Sequence, residues 1–157
     1  MTKEFLTVAV MNAGLVMAMM TALWGLSVVI RDSSIADIFW GLGFVFIVSF
    51  TTTISDGSEE RRALVSLLTT VWGVRLAGYI GWRNWGAEDS RYARLRQHVE
   101  SQGKSYTLHS LIYIYWVQGF YMWLVSLVLI FAMTMDSPEK LGICLLYTSD
   151  AADDLLC

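Results

Sequence analysis

The chain of 157 residues is 55% hydrophobic and 13% aromatic, with 16% charged residues, one proline and a mean hydropathy of +0.51. A soluble domain usually contains about 45–50% apolar and about 25% charged residues. The composition excludes a disordered chain, which would be poor in apolar and aromatic residues. It also argues against an ordinary soluble enzyme, because one domain of this length could not bury so much apolar surface. We therefore expect an integral membrane protein whose partner is the lipid bilayer and not a nucleic acid.

The net charge of −3 and both cysteines come from the last fourteen residues. Residues 1–143 carry eleven basic and eleven acidic side chains and are neutral. Residues 144–157 resemble a translated sequencing adapter, because ten consecutive residues from position 144 follow its codons in frame. A native polar C-terminus is the alternative interpretation. We expect this tail to be non-native and not to pack on the helices, and the gene to continue beyond Ile143.

Four apolar stretches are long enough for membrane helices, which need about 20 mostly apolar residues. The first has twenty-six residues without a charge. A cleaved signal peptide would have an apolar region of only about 7–15 residues, so we interpret this stretch as a membrane span. All four runs are continuous, whereas barrel strands alternate apolar and polar residues over about ten positions. The sequence predicts an all-α polytopic membrane protein with spans at residues 5–30, 35–54, 63–82 and 108–135.

The distribution of Lys and Arg predicts the orientation, because cytoplasmic loops carry an excess of both. One side of the four spans holds six of these residues and the other holds four, so we place the loop of residues 83–107 in the cytoplasm and the N-terminus outside. The spans should form an antiparallel bundle that is part of a larger one, with an apolar groove along one side. Small residues permit close helix approach, and we expect contacts at Gly41, Gly73 and Gly78.

Asp37 lies three residues into the second span. A carboxylate in an apolar helix costs about 2.5–3.5 kcal/mol on insertion scales, and it should therefore face protein, water or a ligand. Trp40 and Phe44 follow on the same helix face. Asp37 is either the polar point of a lipid-lined pocket or an interfacial charge favoured by the positive N-terminus of the helix. The sequence leaves both interpretations open.

Arg75 lies well inside the third span, in a stripe at helical spacing. Its long side chain can reach the cytoplasmic interface while its stem stays in an apolar environment. Alternatively, Arg75 pairs with Asp37, because antiparallel neighbours place the start of one span beside the end of the next. The stripe consists of Leu68, Trp72, Arg75, Tyr79 and Trp82.

Residues 83–96 contain four arginines, two acidic residues and two aromatics. Arginine binds phosphate bidentately, so a nucleotide cofactor is one hypothesis. The alternative is a positive topology signal followed by an amphipathic helix, since Tyr92, Leu95 and Val99 recur at helical spacing. No Gly-rich phosphate-binding pattern accompanies the arginines.

Two further polar side chains lie in the fourth span. His109 has no metal-ligand spacing around it, and we expect no metal site. Gln118 gives the span a polar point on a face with Trp116, Gly119 and Trp123. A face of this kind is typical of helix packing as well as of a ligand pocket.

Four motifs together resemble a family of polytopic proteins similar to steroid 5-alpha-reductase, a branch known as a domain of unknown function. The resemblance extends from about residue 35 to residue 127, and the second and third motifs are specific as a pair. The motifs are Asp-Ile-Phe-Trp-Gly at 37–41, Trp-Gly-Val-Arg-Leu at 72–76, Glu-Asp-Ser-Arg-Tyr at 88–92 and Trp-Val-Gln-Gly at 116–119.

The resemblance implies a helical bundle of about seven spans that uses NADPH to reduce a carbon–carbon double bond in a membrane lipid or steroid-like substrate. It implies that the cofactor enters from the cytoplasmic side, and it assigns no proton donor in this chain. The candidates for the cofactor mouth are Arg83, Asn84, Glu88, Asp89, Arg91 and Tyr92. The candidates for the lipid pocket are Asp37, Trp40 and Gln118.

The family's C-terminal half contains Gly-Leu-Trp and Arg-His-Pro-x-Tyr elements important for the cofactor. We expect this half to lie beyond Ile143, so the present chain should be inactive. Two alternatives stay open: a membrane methyltransferase of the isoprenylcysteine or phospholipid type, which uses S-adenosylmethionine, and a non-catalytic membrane protein. The complete open reading frame would distinguish them.

Overall fold

The structure, a computed structural model, describes residues 2–84 and 89–135. Every regular element in these ranges is helical, which confirms the predicted fold class. The tail and Glu88 lie outside the described residues. The elements are α1 (Thr2–Ile30), α2 (Ile35–Ile54), α3 (Glu59–Arg83), α4 (Ser90–Ser101), α5 (Tyr106–Ser110), a π-helical segment (Leu111–Trp116) and α6 (Val117–Thr134).

The four predicted spans are confirmed as helices long and apolar enough to cross a membrane. The third begins at Glu59 instead of residue 63, because Glu59 and Glu60 are favourable in the first turn of a helix. The fourth span joins α5, the π-helical segment and α6 into one continuous helical run, Tyr106–Thr134. The amphipathic-helix interpretation of residues 90–101 is also confirmed, since α4 buries Tyr92 and Val99.

Helix α2 is central, because it packs along α3 and contacts both α1 and α6. Gly41 and Gly73 bring the backbones of α2 and α3 together, as predicted. A Cβ atom at Gly41 would overlap the carbonyl oxygen of Gly73, and a Cβ atom at Gly73 would lie 2.5 Å from the carbonyl oxygen of Gly41. The prediction for Gly78 is wrong, since among the described residues no heavy atom beyond the adjoining residues and helix backbone lies within 4 Å of its ideal Cβ position. Ala77, four residues after Gly73, is the buried residue at this level of α3.

Hydrogen bonds from polar side chains connect the spans. Inside a bilayer these polar groups have no water to bind, so they need partners within the protein. Asn12 on α1 donates to the hydroxyl of Thr51 on α2 at 3.0 Å. Trp123 on α6 donates to the carbonyl of Ala9 on α1 at 2.9 Å. These bonds fix the rotation of α1 against both neighbours.

The antiparallel spans bring one set of termini to the same end of the bundle. This end contains the turn between α1 and α2, the end of α3, all of α4 and the start of α5. Most of the predicted site residues lie here, and we call it the α4 end.

Candidate active site

The hydroxyl of Tyr92 is the centre of a polar cluster at the α4 end. It donates a hydrogen bond of 2.7 Å to Oδ1 of Asp37 on α2. It accepts a hydrogen bond of 3.3 Å from Nε2 of Gln118 on α6. Tyr92 is only 9% exposed, and both hydrogen bonds are partly shielded from solvent. The cluster thus connects α4 with two membrane spans.

Asp37 has the helix-terminus environment of the second interpretation that the sequence left open, whereas its role in a lipid pocket stays a prediction. It lies in the first turn of α2, where the helix terminus favours a negative charge. Its carboxylate also serves two side chains of α4, Tyr92 through Oδ1 and Arg91 through Oδ2 at 2.8 Å. Asp37 is therefore an interfacial charge that also organises the cluster.

Arg91 bridges two carboxylates. Its Nη2 atom lies 2.8 Å from Oδ2 of Asp37 and 3.0 Å from Oδ2 of Asp89. Asp89 is the N-cap of α4, and its Oδ1 accepts the backbone N–H of Arg91 at 2.9 Å. The hydrogen bonds from Arg91 lower the pKa of Asp89 to about 2, and the Asp89 and Asp37 carboxylates raise the pKa of Arg91. Arg91, 61% exposed, therefore anchors α4 to α2.

The environment of Tyr92 holds its hydroxyl in the protonated form. Burial is the main reason that its pKa is raised, and the hydrogen bond to the Asp37 carboxylate raises it further. A phenol that stays neutral keeps its proton for hydrogen bonding, which is what a group that polarises a carbonyl oxygen needs.

The proposed pair between Asp37 and Arg75 is wrong. Asp37 is bound by Arg91 and Tyr92, and Arg75 lies exposed on α3. The physical reason is the rotation of α3, which turns Gly73 toward α2 and Arg75 away from it.

The remaining predicted residues lie around the cluster or along α2. Asn84 caps the end of α3, and its Oδ1 accepts a bond of 3.3 Å from Nε of Arg83. Trp40 packs edge-to-face on Phe44 with ring centroids 5.9 Å apart, and Phe44 packs in the same way on Trp72 at 5.6 Å. This aromatic row leads from the cluster toward the middle of the span.

An apolar groove of about 520 Å³ lies between α2, α3 and α6. The groove begins about two helical turns from the cluster, because Phe44 is seven residues after Asp37 and Val125 is seven residues after Gln118. At 1.5 Å per residue this places the groove about 10 Å deeper along both helices. The lining residues are Phe44, Leu68, Thr69, Trp72, Val125, Val128 and Leu129.

His109 stacks on Tyr113 with ring centroids 4.5 Å apart, which makes it a packing residue. In residues 2–84 and 89–135, no three His, Cys, Asp or Glu side chains are grouped to hold a metal ion.

The sequence model of a family described as a protein of unknown function, DUF1295, matches residues 23–149. The chain belongs to the DUF1295 family. The match includes every residue of the polar cluster and ends inside the segment interpreted as adapter-derived. No curated protein and no solved structure matches the chain.

The sequence motifs of this DUF1295 protein identified the members of the cluster but not their contacts. Asp37 and Gln118 were assigned to a lipid pocket, and Arg91 and Tyr92 to a cofactor mouth, whereas the structure joins all four. The contact between Tyr92 and Asp37 spans 55 positions, so no local spacing could reveal it.

The N-cap of α4 gives a first prediction for this DUF1295 protein. Asp89→Ala should loosen α4 by about 1 kcal/mol, the usual effect of losing an N-cap side chain. Asp89→Asn is the matched control, because asparagine caps helices as well as aspartate but lacks the charge. Hydrogen exchange of the α4 amides measures both effects, and equal protection in Asp89→Ala and wild type would contradict the capping role.

The lowered pKa of Asp89 adds a pH dependence to this prediction. A carboxyl group whose pKa falls on folding stabilises the folded state above its unfolded pKa, about 3.9. The contribution is therefore complete at neutral pH and is lost as the pH falls from about 4 toward about 2. In Asp89→Asn this part of the acid dependence should disappear.

Proposed function

We propose that this DUF1295 protein reduces a carbon–carbon double bond conjugated to a carbonyl group in a lipid or steroid-like substrate, with NADPH as the cofactor. The observation that carries the proposal is the buried Tyr92 hydroxyl, bonded to Asp37 on α2 and Gln118 on α6, with an apolar groove about 10 Å deeper along the same two helices. The reaction type rests on the resemblance to the steroid 5-alpha-reductase family.

The groove and the cluster together suit an amphipathic substrate. The groove has apolar walls for a hydrocarbon body, and Thr69 is the one hydroxyl residue among its lining side chains. The Tyr92 hydroxyl, about 10 Å away along the helices, is a donor for a single carbonyl oxygen. A lipid with one polar end matches this arrangement better than a uniformly polar metabolite does.

Tyr92 stabilises the charge that develops during the reaction. NADPH, when bound, supplies the hydride that adds to the β-carbon of the conjugated double bond. As electrons move onto the carbonyl oxygen, the Tyr92 hydroxyl donates a hydrogen bond to it, and exclusion of water strengthens that bond. A proton taken up from the solvent then reaches the α-carbon, so that the enone, NADPH and one H⁺ give a saturated carbonyl compound and NADP⁺.

Asp37, Arg91 and Gln118 prepare Tyr92 for this role. In the structure the phenolic proton points to Asp37, so it must turn about the C–O bond to reach a substrate oxygen. Once the phenol has turned, the Asp37 carboxylate accepts one hydrogen bond fewer. The positive charge of Arg91 still compensates the negative charge of this carboxylate. The Gln118 amide can keep its bond to the phenol during the turn. These three are positioning residues.

Two features of the cluster fit a dinucleotide. Oε1 of Gln118 is buried without a hydrogen-bond partner among the described residues, and an amide N–H such as that of a nicotinamide carboxamide suits it. Arg83 is exposed, and in the described part of the chain no carboxylate lies within ion-pair distance of it, although its charge contributes to lowering the pKa of Asp89. We assign Arg83 as the cation for a phosphate. Asn84 would hold the cofactor beside Arg83. Arg91 is already paired with Asp37 and Asp89, and we assign it to positioning.

The test is an assay of the protein expressed from the complete open reading frame in lipid nanodiscs. An enone lipid should be converted to a product heavier by two hydrogen atoms, with stoichiometric loss of NADPH absorbance. Methyl transfer from S-adenosylmethionine without NADPH oxidation would replace the proposal by the methyltransferase alternative. Binding of neither cofactor would favour the non-catalytic alternative.

A further inference from the structure

A second, polar pocket lies at the α4 end, apart from the Tyr92 cluster. It has a volume of about 560 Å³ and is formed by the end of α1, the second half of α4 and the start of α5. None of its lining residues belongs to the cluster. Three of them are cations and one is an acid: Arg31, Arg96, Lys104 and Glu100.

The charge of the pocket suits an anion. Three cations against one carboxylate leave a formal charge of two positive units. The side chains of Arg31 and Lys104 have neither a hydrogen bond nor an ion pair within the described ranges. Hydroxyl groups of Ser27 and Thr107 in the lining add donors for oxygen atoms.

Arg31 occupies an unusual backbone conformation for its type. Its φ of 58° lies in the left-handed region, where a helix normally ends with glycine. Helix α1 ends just before it, and the N–H of Asp32 returns to the carbonyl of Ser27 at 3.2 Å. Glycine would adopt this backbone conformation at a lower energy than arginine does. The presence of arginine therefore indicates that its side chain has a function.

The opposite wall is held rigidly in place. Arg96 donates from Nη2 to the carbonyl of Arg31 at 3.2 Å, and its guanidinium lies over the ring of Tyr106 at 4.7 Å. Tyr106 in turn donates from its hydroxyl to Oγ of Ser33 at 2.9 Å. Three helical segments therefore fix the pocket before any ligand arrives, which lowers the entropic cost of binding.

The depth of the pocket identifies the source of the anion. It lies where α1 ends, α2 begins and the fourth span starts, which is the level of lipid headgroups. Val28, an apolar side chain in the lining of the pocket, is 42% exposed and is open for an acyl chain. Basic pockets between membrane helices typically bind anionic headgroups. We propose that this pocket binds the phosphate of an anionic phospholipid.

Native mass spectrometry of the full chain, released from nanodiscs of phosphatidylglycerol and phosphatidylcholine in equal amounts, tests the site. Wild type should retain phosphatidylglycerol in preference to phosphatidylcholine. We expect Arg31→Gln and Lys104→Gln each to reduce the retained phosphatidylglycerol about five-fold or more. Arg94→Gln is the matched control, because this exposed arginine of α4 lies outside the pocket and its loss changes the net charge equally.

Each result decides the proposal. Loss in Arg31→Gln and Lys104→Gln with retention in Arg94→Gln supports it, and thermal unfolding of each variant shows that the fold is kept. Equal retention in all variants, or equal loss in all three, overturns it. A second arm uses inorganic phosphate and glycerol phosphate in phosphatidylcholine nanodiscs. If these soluble ions bind with the same dependence on Arg31 and phosphatidylglycerol does not, the pocket takes a soluble phosphate and the lipid assignment is wrong.

Discussion

Tyr92→Phe is expected to lower kcat for enone reduction by about 10²–10³-fold, the usual range when a hydrogen-bond donor to a developing oxyanion is removed. The change removes one oxygen atom and leaves the ring in its place. The fold should lose about 1.5–3 kcal/mol, the usual contribution of a hydrogen bond to a charged group such as Asp37. Steady-state oxidation of NADPH by the protein from the complete reading frame measures kcat, and thermal unfolding measures stability.

Tyr113→Phe is the control for this experiment, because Tyr113 is exposed and stacks on His109 away from the cluster. Its kcat should equal that of wild type. The pH profile adds an independent readout: an ordinary tyrosine ionises near pH 10, and the raised pKa of Tyr92 keeps its proton beyond that pH. Wild-type activity should therefore not decline through ionisation of Tyr92 up to about pH 10. A Tyr92→Phe variant with full activity would refute the assignment.

Gly73→Leu is expected to separate α2 from α3 and to destabilise the bundle by about 3 kcal/mol or more. The new side chain would meet the carbonyl oxygen of Gly41, which is backbone and cannot repack. The cluster should be affected as well, since α2 carries Asp37. Denaturant unfolding in detergent micelles, followed by tryptophan fluorescence, measures the change.

Gly78→Leu is the matched control on the same helix. In residues 2–84 and 89–135, an added Cβ atom at Gly78 meets no heavy atom within 4 Å beyond the adjoining residues and helix backbone, so the substitution should change stability by no more than about 0.5 kcal/mol. Equal destabilisation by the two variants would show that the effect comes from the helix itself and not from the contact with α2.

The membrane class, the all-helical fold and the four spans could all be predicted from the order of apolar and polar residues. The physical reason is that a backbone in lipid must satisfy its hydrogen bonds internally, so about 20 apolar residues in a row have few alternatives to a helix. The amphipathic character of α4 was also local information, because Tyr92 and Val99 recur at helical spacing.

Which polar side chains contact each other could not be predicted, because these contacts depend on how the helices pack. The partners of Asp37 lie 54 and 55 positions away, on a helix outside the four spans. The sequence left open a pair between Arg75 and Asp37, since nothing local fixes the rotation of α3. The contact between Gly41 and Gly73 fixes it. At about 100° per residue, Arg75 then lies about 200° from Gly73, on the face away from α2. Asp37 therefore binds Arg91 and Tyr92 instead.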